Sequence, residues 1–168
     1  MGWIGYLLIL VAGTGMGVYA AHRLQRRVLF LQQTRRLMQT LLQQMSYTAR
    51  PMSELWRRLA ETPAFSKFYL LQDTVSGLTS AEFLVAFAGA VERAYEAGYL
   101  TESGRQLLLE FGEGCGRYDA ERQAQHIAHY RDLIGELEAL LRVEAATKGR
   151  VYRVMGMASG GALVLLLM

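Results

Sequence analysis

A chain of 168 residues, 52% of them hydrophobic, has room for one domain with appendages and carries too much apolar side chain to be disordered. Its 18 Lys and Arg against 15 Asp and Glu leave a formal net charge of +3, yet every charge lies between Arg23 and Arg153. Six arginines and no acid occupy 23–50, nine bases and 15 acids occupy 54–144, and three bases occupy 148–153, which excludes a uniformly basic nucleic-acid-binding surface.

Gly2 to Ala21 is a run of 20 residues without Asp, Glu, Lys, Arg or His. A helix of that length spans about 30 Å, the thickness of the hydrocarbon core of a bilayer. Trp3 and Tyr6 stand near one end and Tyr19 near the other, where aromatic rings favour the membrane interface. His22, Arg23, Arg26 and Arg27 follow at once and hold that flank in the cytoplasm, so the sequence predicts a transmembrane helix over 1–22 with Met1 outside. A cleaved signal peptide is the rival, disfavoured because no Lys or Arg precedes the apolar run. Gly13-Thr14-Gly15-Met16-Gly17 is not a nucleotide loop, since neither a preceding strand nor a following Lys-Ser/Thr accompanies it.

The next segment, 23–153, reads as an all-α, antiparallel six-helix cytosolic bundle. Leu24, Val28, Leu31, Met38, Leu42, Met45 and Ala49 alternate four and three apart, with Arg35 breaking the stripe, and predict an amphipathic helix continuous with the membrane segment. It should stop before Pro51, which then opens a helix burying Leu55, Trp56 and Leu59. Pro63 opens a third, with Phe65, Phe68, Tyr69 and Val75 inward and Gly77 as its stop. Thr79 with Glu82 reads as a capping box for a fourth helix through Phe83, Leu84, Phe87, Val91 and Tyr95, ending at Gly98. Ser103 with Gln106 repeats that pattern for a fifth through Leu107, Leu108 and Phe111. Gly112, Gly114 and Gly116 end it, and Asp119 caps a sixth with Ala124, Ile127, Tyr130, Ile134, Leu137, Leu141 and Ala145 on one face.

The last segment, 154–168, predicts a second and shorter transmembrane helix, with an interfacial helix or a buried core helix as alternatives. Counted from Val151 it has 18 residues, and Lys148, Arg150 and Arg153 mark the same cytoplasmic side. Gly13 and Gly17 in the first segment, and Gly156 and Gly160 in the last, repeat a spacing that lets membrane helices approach closely. Contact between the two segments is the expectation.

Catalytic and metal-ligating patterns are missing. Cys115 is the single cysteine, so neither an intramolecular disulfide nor a multi-Cys zinc site is expected. His126 and His129 lie three apart, but position 123 is Gln, which breaks the Glu-x-x-His of diiron bundles, and no His-Glu-x-x-His occurs. A serine-hydrolase elbow, a phosphate loop and a kinase signature are likewise missing. An enzyme of the membrane surface would have to use His126, His129 or Cys115, and the near-heptad first helix leaves a dimeric signalling module as another reading. The expectation is no catalytic residue, no cofactor, no metal, no nucleic acid and no small-molecule substrate.

Three stretches carry a resemblance. Leu41-x-x-x-Met45-x-Tyr47-x-x-x-Pro51-Met52-x-Glu54 ends the basic first helix. Gly112-x-x-x-Gly116-x-x-Asp119-x-x-x-Gln123-x-x-His126-Ile127 joins the fifth helix to the sixth. Arg150-Val151-Tyr152-Arg153-x-x-Gly156-x-x-x-Gly160 leads into the terminal apolar run. Together they resemble the stage III sporulation protein AB family of endospore-forming bacteria, with Gln43 and Gln44 standing where the family usually has an acid. The resemblance implies that Tyr47, Pro51, Gly112, Gly116, Asp119, Gln123, Tyr152 and Arg153 are family-motif positions. It implies a bundle similar to the cytoplasmic domains of type II secretion F proteins and type IV pilus platform proteins. It also implies a non-enzymatic place in the mother-cell membrane facing the forespore, with the bundle cytoplasmic and the termini outside. The implied partners are a secretion-type ATPase, stage III sporulation protein AA, and the other membrane proteins of that complex. The alternative is a membrane-anchored signalling or dimerisation module without a transport role.

Overall fold

The computed structural model describes the backbone of residues 2–45, 51–78, 82–117 and 119–167, with side chains at 19–45, 51–78, 82–117, 119–149, 151, 154, 155 and 158. Six helices and no strand occur among the described residues: α1 (Gly2–Met45), α2 (Met52–Glu61), α3 (Tyr69–Gly77), α4 (Phe83–Glu96), α5 (Glu102–Gly114) and α6 (Ala120–Leu167). The all-α reading holds. α1 and α6 are unbroken over 44 and 48 residues, so each joins its uncharged terminal run to the charged middle of the sequence.

The two expected transmembrane helices are not supported by the structure. Among the described residues no helix is long and apolar enough to cross a membrane. The side chains of 1–18 and of 159–168, on which that expectation rests, lie outside the description, as do those of Tyr152, Arg153 and Gly156.

The chain divides into two compact units, residues 1–28 with 139–168, and residues 29–138. In the second, α1 contributes Phe30, Leu31, Leu37, Met38 and Leu41 to a core completed by Leu55, Trp56, Leu59, Leu70, Leu71, Phe87, Val91, Leu108, Phe111, Ile127 and Ile134, all buried. Aromatic edges hold its centre together. Trp56 meets Phe83 and Phe87 at centroid distances of 5.3 Å each, and Phe87 meets Phe111 at 5.7 Å.

The buried face of α1 is wider than the sequence stripe, because Phe30, Thr34, Leu37 and Leu41 are buried beside Leu31 and Met38, while Leu24, Leu42 and Met45 are half-buried. A helix enclosed in a bundle needs a stripe of roughly 100°, broader than the two-position seam of a coiled coil. Thr34 satisfies its hydroxyl by donating to Phe30 O at 2.9 Å. Arg35 breaks the stripe for a reason. Its guanidinium is half exposed and pairs at 3.4 Å with Glu138, whose side chain is only 5% exposed.

Three helix starts differ from the expectation. Pro63 lies in a turn, and α3 begins at Tyr69 with Leu70, Leu71 and Thr74 inward, leaving Tyr69 exposed and Val75 half-buried. Phe65 and Phe68 are buried from that turn, through consecutive tight bonds of Phe65 N to Thr62 O and Phe68 N to Phe65 O. α4 begins at Phe83 with Glu82 as its N-cap, so Glu82 is not the reciprocal residue of a capping box; Thr79 lies outside the described residues. α5 is capped by Thr101, whose hydroxyl accepts from Gly104 N at 3.2 Å, two residues before the expected Ser103. Charge pairs then tie helices at the surface: Arg93 to Asp73 at 2.7 Å, and Arg105 to both oxygens of Glu92 at 2.7 and 2.8 Å. The Arg105 guanidinium holds the Glu92 carboxyl below its usual range.

In the other unit α1 and α6 meet where Ala21 faces Gly149: a methyl group on Gly149 would lie 3.8 Å from Ala21 Cβ. Leu141 is buried in the same unit.

Candidate functional site

Two of the three motif stretches converge on one cleft in the unit of residues 29–138. Pro51, with φ −57° and ψ 145°, is set by its ring for the entry to α2, and its carbonyl accepts from Glu54 N and Leu55 N. That places Pro51, Met52 and Ser53 along one wall. The start of α4 supplies Glu82, Phe83 and Leu84, and the end of α5 supplies Glu113, Cys115, Gly116 and Arg117. With Arg57 and Leu78 these enclose about 580 Å³. Arg57 Nη2 donates to Leu78 O at 3.4 Å.

The α5–α6 corner beside this cleft is built by the motif residues themselves. Gly116 has φ +81°, a backbone conformation that side chains with a Cβ avoid. Its N–H donates to Gln123 Oε1 at 2.9 Å, and Gln123 is only 3% exposed. Asp119 caps α6 as expected, accepting from Arg122 N at 2.9 Å through Oδ1. His126 reaches back to α5, its Nε2 lying 2.9 Å from Phe111 O. A carbonyl only accepts, so the ring is protonated at Nε2 in this contact. The ring stacks on Phe111 at 5.7 Å and meets Tyr130 at 4.8 Å.

Close packing then explains two glycines. A methyl group on Gly112 would sit 2.6 Å from Phe87 Cδ1, and one on Gly114 would overlap the His126 imidazole. Sequence reasoning found Gly112, Gly116, Asp119 and Gln123 as motif positions but missed the role of His126, which no spacing rule signals. It also missed Glu138, buried opposite Arg35. Of the other motif positions, Pro51 lines the cleft, Tyr47 lies outside the described residues, and the side chains of Tyr152 and Arg153 are not described. Gly13, Gly17, Gly156 and Gly160 stand within α1 and α6, and their packing lies outside the description.

Chemically the cleft is a mixed hollow with two arginines, two glutamates and apolar patches. Cys115 is its thiol, and burial pushes that thiol up to about 12, so it is protonated and inert at neutral pH. Among the described residues no group of three or more His, Cys, Asp or Glu is placed to hold a metal ion.

A family model for stage III sporulation protein AB matches residues 2–168. The chain belongs to that family. Neither a curated protein nor a solved structure matches it. The corner and cleft are thus those of a stage III sporulation protein, and two of the three motif stretches that suggested the family meet there in space.

Proposed function

We propose that the chain is a non-enzymatic, membrane-anchored platform component of the complex between mother cell and forespore, coupled to a cytoplasmic secretion-type ATPase. The observation that carries this reading is the family match over residues 2–168. The uncharged run of Gly2–Ala21 and the basic residues that follow it favour anchoring, with the termini outside and residues 23–153 cytoplasmic. The shorter run of 154–168, behind Lys148, Arg150 and Arg153, favours a second anchor on the same side, and the paired glycines Gly13, Gly17, Gly156 and Gly160 favour contact between the two.

The unit of residues 29–138 carries 14 of the 15 carboxylates of the chain. That excess repels it from anionic lipid and offers a charge-complementary face to a basic partner surface. The cleft between the starts of α2 and α4 and the end of α5 is its shaped feature, and we assign it to the ATPase, stage III sporulation protein AA. The full chain, purified in mild detergent, retains that ATPase on an affinity resin, and Glu82→Lys with Glu113→Lys lowers the retained fraction at least roughly fivefold, about 1 kcal/mol. A correctly folded chain that retains none of it contradicts the platform reading.

A further inference from the structure

Charge is least balanced in the unit of residues 1–28 and 139–168. Its bases are Arg23, Arg26 and Arg27 on α1 and Arg142, Lys148, Arg150 and Arg153 on α6, against Glu144 as its one carboxylate. Glu144 accepts from Lys148 Nζ at 2.5 Å, one turn away on its own helix. The contact of Ala21 with Gly149 brings the basic stretches of both helices to one level. Beside it, a groove of about 240 Å³ is lined by Tyr19, Ala20, Arg23, Leu24 and Arg27.

Tyr19, Arg23 and Arg27 follow one another at intervals of four, so they share a face of α1. Two guanidinium forks one turn apart match the oxygens of a phosphate, to which arginine binds through paired hydrogen bonds. Ala20 and Leu24 give the groove an apolar floor, and Tyr19 is 66% exposed at its edge. The uncharged run of Gly2–Ala21 ends at this point. A small soluble phosphate would satisfy the arginines and leave the apolar floor wet, whereas a lipid covers both.

We propose that this groove binds the phosphate of an anionic phospholipid, with Arg23 and Arg27 on the phosphate oxygens and Tyr19, Ala20 and Leu24 against the glycerol and first acyl carbons. The proposal rests on the membrane-anchored reading, which failure of the first step below would contradict by itself. The full chain is reconstituted into vesicles of phosphatidylcholine alone, and separately into vesicles with added phosphatidylglycerol. Protein extracted from the mixed vesicles is then weighed by native mass spectrometry for retained lipid. The expected result is a roughly tenfold preference for phosphatidylglycerol over phosphatidylcholine, lost in Arg23→Gln with Arg27→Gln and kept in Arg58→Gln with Lys67→Gln. Millimolar inorganic phosphate leaves the preference in place.

Equal retention of the two lipids by the wild-type chain overturns the proposal whether or not the double variant folds. So does a preference that survives in that variant with its helical signal intact, or one that inorganic phosphate abolishes. A chain that enters neither kind of vesicle contradicts the anchored reading and the proposal together, while entry into both without preference contradicts the proposal alone.

Discussion

Phe87 is fully buried, with Trp56, Phe83 and Phe111 around its ring, so it has nowhere to move when a methyl group is added at Gly112. Gly112→Ala should therefore destabilise the fold by about 1–3 kcal/mol through overpacking. Gly116→Ala meets nothing within 4 Å and should cost about 1–2 kcal/mol, from left-handed backbone alone. Urea denaturation of both variants measures the two effects. Cys115 gives a pH dependence. Its folded thiol is pushed from 9.0 up to about 12, so the unfolded chain releases that proton first as pH rises. The contribution of the neutral thiol is complete below pH 9 and declines between 9 and about 12, by about 1.4 kcal/mol per pH unit. Cys115→Ala should flatten the alkaline fall of the urea midpoint over that window; an unchanged slope would sink this assignment. At this scale the sequence made Asp119 legible, because an N-cap bonds within one helical turn. The partners of Gln123 and His126 were hidden, since each reaches across the glycine corner into α5 and only the φ of Gly116 fixes that corner.

Each helix was legible where its apolar period runs long, and its start was legible only where one local signal stands alone. α6 keeps Ile127, Ile134 and Leu141 buried at spacings the sequence stripe anticipated. α5 offered two rival caps, Thr101 and Ser103, and Thr101 is the one whose hydroxyl accepts from Gly104 N. Thr101→Ala should cost about 1 kcal/mol and Ser103→Ala only a few tenths. Thermal unfolding of the two variants separates the readings, and a larger loss at Ser103 would restore the discarded one. The start of α3 was misread because burial of Phe65 and Phe68 is compatible with a helix or with two tight turns, and periodicity does not distinguish them. The width of the α1 face was misread for a related reason. A seam of alternating threes and fours is nested inside the broader stripe that a bundle requires, so matching the seam left Phe30, Leu37 and Leu41 uncounted.

Over the whole molecule the net charge of +3 separates into unequal parts. The unit of residues 1–28 and 139–168 holds seven Lys and Arg with Glu144 alone, while that of residues 29–138 holds 14 carboxylates and 11 bases. Reading the charges by position already separated basic flanks from an acidic middle. Which helices gather into each unit required the fold, because α1 and α6 each run through both. The proposed platform, anchored by its ends, would put the basic residues at the anionic membrane surface and the acidic ones toward the cytoplasm. Sidedness tests this directly. In a Cys115→Ala background, single cysteines are placed at Gly2, Leu167 and the exposed Ser103, and right-side-out membrane vesicles are treated with an impermeant maleimide. Anchored ends predict labelling at 2 and 167 in sealed vesicles and at 103 only after permeabilisation; labelling at 103 in sealed vesicles, or protection at both 2 and 167, would contradict it.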